Sequence, residues 1–131
     1  MKRMIPILLM MTLLLTGCAV PKPATEANTY RQITMQEAVE MMEKEENYII
    51  LDVRTHEEFA AGHIPGAIVV PNETIGTEEI VQLPDKDQLI MVYCRSGNRS
   101  KQASDKLVKL GYTNSVEFGG INSWPGDIDA E

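Results

Sequence analysis

The residues of this chain best suited to covalent chemistry lie in one stretch, Tyr93-Cys94-Arg95-Ser96-Gly97-Asn98-Arg99-Ser100. The thiol follows an apolar run at 88–93 and precedes an amphipathic stretch at 100–110, a pattern that reads as strand, tight loop and helix. In such a unit the loop amides and the positive end of the helix dipole converge on one spot, which favours an anion and lowers a thiol pKa. Cys94 is therefore a candidate nucleophile, with an inert buried cysteine as the plainer alternative. Arg95 and Arg99 place two positive charges beside it, and Ser96 and Ser100 offer hydroxyls to a sulfur anion. Gly97 permits a turn that a side chain would block, and Asn98 completes the loop as a further binding candidate. Arg99 can equally brace the loop through a salt bridge, and Ser100 can be only the helix cap.

The elements that must position this loop can be read in chain order. Residues 30–33 form a short strand, and Thr34-Met35-Gln36-Glu37 has the spacing of a helix capping box. Met41 and Met42 then read as core filling. The run 48–53 suits a strand buried on both faces of a parallel sheet. Thr55-His56-Glu57-Glu58 repeats the capping box and opens a short helix ended by Gly62; His63-Ile64-Pro65-Gly66-Ala67 is a turn, and 67–70 a further strand. One helix is expected over 77–83. Beyond the Cys94 loop a helix runs to Gly111, Val116-Glu117-Phe118 is a last strand, Gly119-Gly120 allows a tight turn, and 121–124 is a helical turn. Alternating strands and helices predict an α/β fold with a parallel or mostly parallel sheet covered on both faces. Ligands of such sheets bind outside the carboxyl ends of the strands, where Cys94 falls.

The start of the chain carries a different message. Lys2 and Arg3 precede an apolar stretch, about 5–15, that is short for a bilayer span and reads as an export signal. It ends in Leu15-Thr16-Gly17-Cys18, which resembles the lipobox of bacterial lipoproteins and implies cleavage after residue 17 and diacylation of Cys18; an uncleaved membrane anchor is the alternative. Either reading places the domain outside the cytoplasm, on a membrane at the cell surface or in the periplasm. Residues 18–29, with Pro21 and Pro23 and no apolar period, read as a tether whose last eleven residues reach about 36–40 Å when extended. Residues 30–131 are left for one domain.

The 131 residues are 44% hydrophobic and 24% charged, ordinary for a soluble core. Losing residues 1–17 removes Lys2 and Arg3 and no acid, so the formal charge falls from −7 to −9. That excludes a basic nucleic-acid footprint and leaves acyl chains, not charge, as the membrane attachment. With Cys18 lipidated, Cys94 is the one remaining thiol, and two scattered histidines form no metal-ligand cluster. No metal and no cofactor is expected. The absence of a second redox cysteine argues against a thiol–disulfide protein.

Four motifs in order, Leu51-Asp52-Val53-Arg54 with Glu57-Glu58-Phe59, Gly62-His63-Ile64-Pro65-Gly66-Ala67, the Cys94 loop, and Gly119-Gly120-Ile121 with Trp124, together resemble the single-domain rhodanese sulfurtransferases over about residues 30–126. The resemblance implies a five-stranded, essentially parallel sheet with helices on both faces, and a catalytic Cys94 that accepts a sulfane sulfur as a persulfide. It implies an anionic donor such as thiosulfate, bound by residues 95–100 with Arg95 at the entrance, and a thiol or cyanide-like acceptor, either a small molecule or a protein. Cysteine phosphatases sharing this fold use Cys-x5-Arg; here Arg99 gives Cys-x4-Arg, a smaller cradle better suited to sulfur. A non-enzymatic interaction or sulfur-carrier module is the alternative. Asp52, Arg54, His63 and Trp124 read as scaffold, with an Arg54–Glu58 pair expected across the helix start, and His56 as solvated.

Overall fold

The computed structural model describes residues 29–131. The segments expected to be an export signal and a tether, with Cys18, lie outside the described residues but for Thr29. Five strands, β1 (Arg31–Gln32), β2 (Tyr48–Asp52), β3 (Ile68–Val69), β4 (Leu89–Cys94) and β5 (Ser115–Gly120), pair in the order β1-β5-β4-β2-β3, every pairing parallel. Three helices connect them: α1 (Met35–Lys44), α2 (His56–Ala61) and α3 (Asn98–Lys109). Two 3-10 turns occupy Asn72–Thr74 and Ile121–Ser123.

Successive side chains of a strand point to opposite faces, and β4 shows what that does here. Ile90, Val92 and Cys94 pack with Leu51, Val53 and with Ala103 and Leu107 of α3. Met91 and Tyr93 face the other way, toward Ile50, Val116, Phe118, Ala38 of α1 and Phe59 of α2. The α/β sheet with helices on both faces is thus the one the sequence predicts, and β4 is central because it is apolar on both sides. Each fully buried aliphatic side chain of these layers contributes about 1.5–3 kcal/mol.

Both capping boxes form. Thr34 Oγ1 accepts from the Glu37 amide at 3.1 Å and Glu37 Oε1 accepts from the Thr34 amide at 3.2 Å; Thr55 and Glu58 repeat the exchange at 3.2 and 3.4 Å. They fix where α1 and α2 start, and loss of either threonine costs about 1 kcal/mol.

The helix expected over 77–83 is not there. The chain bends through this region and drops Ile75, Ile80 and Leu83 into the core as separate anchors, while Val81 stays 86% exposed. Two inward apolar positions are too few to hold an amphipathic helix, and Pro84 disfavours helical geometry at the residue before it.

Candidate active site

Cys94 ends β4 where the ladder with β5 slips: Val92 stands opposite Glu117, but Cys94 stands opposite Gly120. The slip turns the chain out of the sheet and into the loop that becomes α3. Gly97, at φ +111°, takes the left-handed turn, and its amide points back to Cys94 Sγ at 3.0 Å. Gly120 forms the floor, since a Cβ there would lie 2.0 Å from the Arg95 carbonyl oxygen. Only backbone fits beneath the loop.

Cys94 is 1% exposed. Burial pushes its pKa up, but the Ser100 hydroxyl and the amides of Ser100, Gly97 and Ser96 more than reverse this, and the thiol lies below its ordinary value. Ser100 Oγ sits 3.4 Å from Sγ and also has Gly97 O at 2.9 Å and Glu117 Oε1 at 2.7 Å. Ser100 therefore does more than cap α3: it is the one side-chain hydroxyl at hydrogen-bonding distance from the sulfur among the described residues.

The remaining loop side chains do not converge on the thiol. Arg95, Ser96 and Asn98 are exposed. Arg99 turns aside to Glu58, with Nη1–Oε1 at 2.6 Å and Nη2–Oε2 at 3.0 Å, so the loop is braced across to α2. Hydrogen bonding from Arg99 holds the Glu58 carboxyl down at about 2. Arg95, Arg54, Glu58, Ala61, Gly62, Ile121 and Asn122 line a cleft of about 270 Å³ beside the loop. A slightly larger one, about 310 Å³, includes His56 and Val81 in its walls and none of the loop residues.

The expected Arg54–Glu58 pair does not form. Arg54 precedes the helix at a bend, where its amide already donates to Asp52 Oδ1 at 2.9 Å, and its guanidinium folds back on the same carboxylate: Nη2–Oδ2 is 2.6 Å, and Nε lies 3.0 and 3.1 Å from the two carboxylate oxygens. Its Nη2 also donates to Gly62 O at 2.7 Å. Burial opposes the charge on Arg54, and hydrogen bonding to Asp52 outweighs it, holding the guanidinium above its ordinary value. Tyr93 donates its phenol to Asp52 Oδ2 at 2.8 Å and accepts from the Ile64 amide at 3.1 Å, which fixes the 62–67 turn. Burial raises the Tyr93 pKa far above its usual value. His63 stacks on Phe59 with ring centroids 3.8 Å apart, its Nδ1 2.8 Å from Phe59 O. Trp124 packs against the α1/α2 side and donates Nε1–H to Asp127 O at 3.0 Å.

Sequence reading passed over two residues. Tyr93 looked like the last apolar position of a strand, and nothing local foretold its bond to Asp52, forty-one residues away. Glu117 did leave a signal: an acid between Val116 and Phe118 in a strand, which the two-residue period turns toward α3.

A family model described as "Rhodanese-like domain" matches residues 34–127. The adenylyltransferase and sulfurtransferase UBA4 of Candida albicans is 36% identical over 98 residues, covering 70% of this chain and 22% of that protein. The thiosulfate sulfurtransferase PspE of Escherichia coli is 35% identical over 71 residues, covering 54% of this chain and 68% of that protein. The chain thus spans only about a fifth of the first of these relatives. A solved structure described as "rhodanese with anions from E. coli" superposes with a TM-score of 0.58 at 32% identity, covering 64% of this chain and 99% of that one.

Proposed function

Because the chain belongs to the rhodanese-like domain family, we propose that it is a sulfurtransferase with Cys94 as the covalent carrier. The carrying observation is the sulfur itself: a thiol of lowered pKa that receives the Gly97 amide at 3.0 Å and has the Ser100 hydroxyl at 3.4 Å, which together favour an anion at Sγ. The name of the PspE relative suggests thiosulfate as donor. The Cys94 thiolate attacks the outer sulfur of thiosulfate; the bond from that sulfur to the sulfonate breaks, sulfite departs with the electron pair, and Cys94 is left as a persulfide anion. An acceptor thiolate, or cyanide in an assay, then takes the outer sulfur and returns the thiolate.

Arg95 is the proposed attractor of the donor, since it is exposed and lines the cleft beside the loop. Ser96, Gly97, Asn98 and Ser100 supply the cradle, with amides at 96, 97 and 100 directed to the sulfur. Arg99 serves by bracing. Its guanidinium is engaged with Glu58, which together with the Cys-x4-Arg spacing speaks against phosphate-ester hydrolysis.

The test is thiocyanate formation from thiosulfate and cyanide. The wild-type chain is expected to turn over and to gain one sulfur atom on the Cys94 peptide by mass; Cys94→Ser is expected to do neither. No sulfur gain in the wild type, or turnover of an aryl phosphate dependent on Cys94, overturns the reading. We also propose that the domain works outside the cytoplasm, attached to the membrane through Cys18, on the strength of the Leu15-Thr16-Gly17-Cys18 motif and the basic, apolar segment before it. Incorporation of labelled fatty acid that persists in Cys18→Ser would count against it.

A further inference from the structure

One buried ionisable group has no part in the chemistry above. Glu117 on β5 is 3% exposed and makes no ion pair among the described residues. Its Oε1 accepts from the Gly119 amide at 2.8 Å and lies 2.7 Å from Ser100 Oγ, which in turn lies 3.4 Å from Cys94 Sγ. The thiol, the hydroxyl and the carboxyl form a chain.

The Ser100 hydroxyl has one proton, and Gly97 O at 2.9 Å, Gly119 O at 3.4 Å and Glu117 Oε1 at 2.7 Å compete for it. A charged acceptor makes a hydrogen bond about twice as strong as a neutral one, so ionised Glu117 wins. Ser100 then turns a lone pair to Cys94 and accepts its S–H, so that in this arrangement only the loop amides favour an anion at Sγ, and the hydroxyl joins them once Glu117 holds the proton. With Glu117 protonated the chain reverses: the carboxylic acid donates to Ser100, and Ser100 donates to a thiolate. Both arrangements hold the same number of protons and the same net charge of the pair. They differ by one proton moved from Sγ to Oε1 through Oγ.

We propose that Glu117, acting through Ser100, receives the thiol proton of Cys94 when the thiolate forms and returns it when the sulfur has been passed on. The inference rests on Cys94 being the sulfur carrier. Cys94 is 1% exposed, and the Ser100 hydroxyl, 3.4 Å from Sγ, is the nearest side-chain group among the described residues that can take its proton. Two negative charges joined by one hydroxyl in a desolvated site repel strongly, and sharing one proton avoids that state. The step balances: thiol plus carboxylate become thiolate plus carboxylic acid, the thiolate takes the outer sulfur of the donor while sulfite leaves, and after transfer to an acceptor thiolate the proton goes back to Cys94.

The groups around Glu117 do nothing to neutralise it. From α3 it is faced by Ser100, and Ser104 follows one turn on with a buried hydroxyl that has no partner. On β4, Val92 is its register neighbour; on β1, Gln32. Tyr30, just before β1, has its phenol raised by burial first and then by the charges of Asp105 and Glu117, which adds acids, not a cation. Glu117 touches no reacting atom and is a positioning residue.

The experiment is the rate of Cys94 alkylation by iodoacetamide against pH in the full chain, read on the Cys94 peptide so that Cys18 does not contribute. The wild type is expected to rise in two steps separated by a plateau, because thiol and carboxyl lose their two protons as a pair; Glu117→Gln is expected to rise in one step. A single step in the wild type, or two unchanged steps in Glu117→Gln, overturns the proposal. The infrared carboxylic-acid band of Glu117, isolated as the wild-type minus Glu117→Gln difference, gives a second readout: it is expected to fall at the same two midpoints at which thiolate absorbance grows, and unrelated midpoints overturn the proposal. Thiocyanate formation is scored in parallel. Two-step ionisation without sulfur transfer overturns the sulfurtransferase reading and with it the return step, and keeps only the proton shared between Cys94 and Glu117; sulfur transfer with one-step ionisation keeps that reading and overturns the shuttle.

Discussion

Two buried carboxylates lie on opposite sides of the β4 terminus, and the protein treats them differently. Asp52 is fully buried yet saturated: the Arg54 guanidinium, the Arg54 amide at 2.9 Å and the Tyr93 phenol all engage it. Glu117 is buried with a hydroxyl and one amide, and no cation. A buried acid that is paired and fully bonded ties backbone segments together, here β2, β4 and the 62–67 turn. An acid left with neutral partners beside a thiol keeps a proton mobile. Position in the sheet is similar in the two cases, and the company each acid keeps decides between scaffold and chemistry.

The comparison can be broken from the scaffold side. Arg54→Ala strands the Asp52 charge in the core and is expected to cost about 3–5 kcal/mol of stability in urea unfolding; a loss comparable to that of an exposed pair would mean Asp52 is not dependent on its cation. Tyr93→Phe removes the phenol bonds to Asp52 and to the Ile64 amide while preserving the ring, with an expected loss of about 1–3 kcal/mol by the same measurement.

The partly exposed Arg99–Glu58 bridge sets the lower end of the scale. Glu58 titrates at about 2 in the fold against an ordinary value of 4.5, so its contribution is complete above about pH 4.5 and disappears as pH falls toward 2. Unfolding free energies measured across that window should decline more steeply in the wild type than in Glu58→Gln, whose cost at neutral pH is expected to be about 1 kcal/mol or less. Parallel slopes would show the bridge to be idle.

How much of this was legible beforehand follows the range of the interaction involved. The sheet, the strand–loop–helix at Cys94 and both capping boxes depend on residues within a few positions of each other, and periodicity exposes them. The Arg54 partner differs from the expected Glu58 because i to i+4 spacing counts only inside a helix, and residue 54 stands before the Thr55 cap, at a bend of the chain. Arg99 with Glu58, and Tyr93 with Asp52, each join residues forty-one apart, and only the pairing of β4 with β2 brings them together. The 77–83 segment misled for the opposite reason: its apolar residues are real core anchors, but they reach the core without regular structure.

Gly120 has a consequence for how such a protein can change over time. The loop rests main chain upon main chain, with the Arg95 carbonyl where any side chain at 120 would begin. The placement of the sulfur is thereby insulated from the identities of residues 95, 96 and 98, whose side chains stand in solvent. Those three positions are free to be rewritten for a different donor or acceptor while the reacting atom stays put, so specificity can drift, or be engineered from a small library, without rebuilding the catalyst.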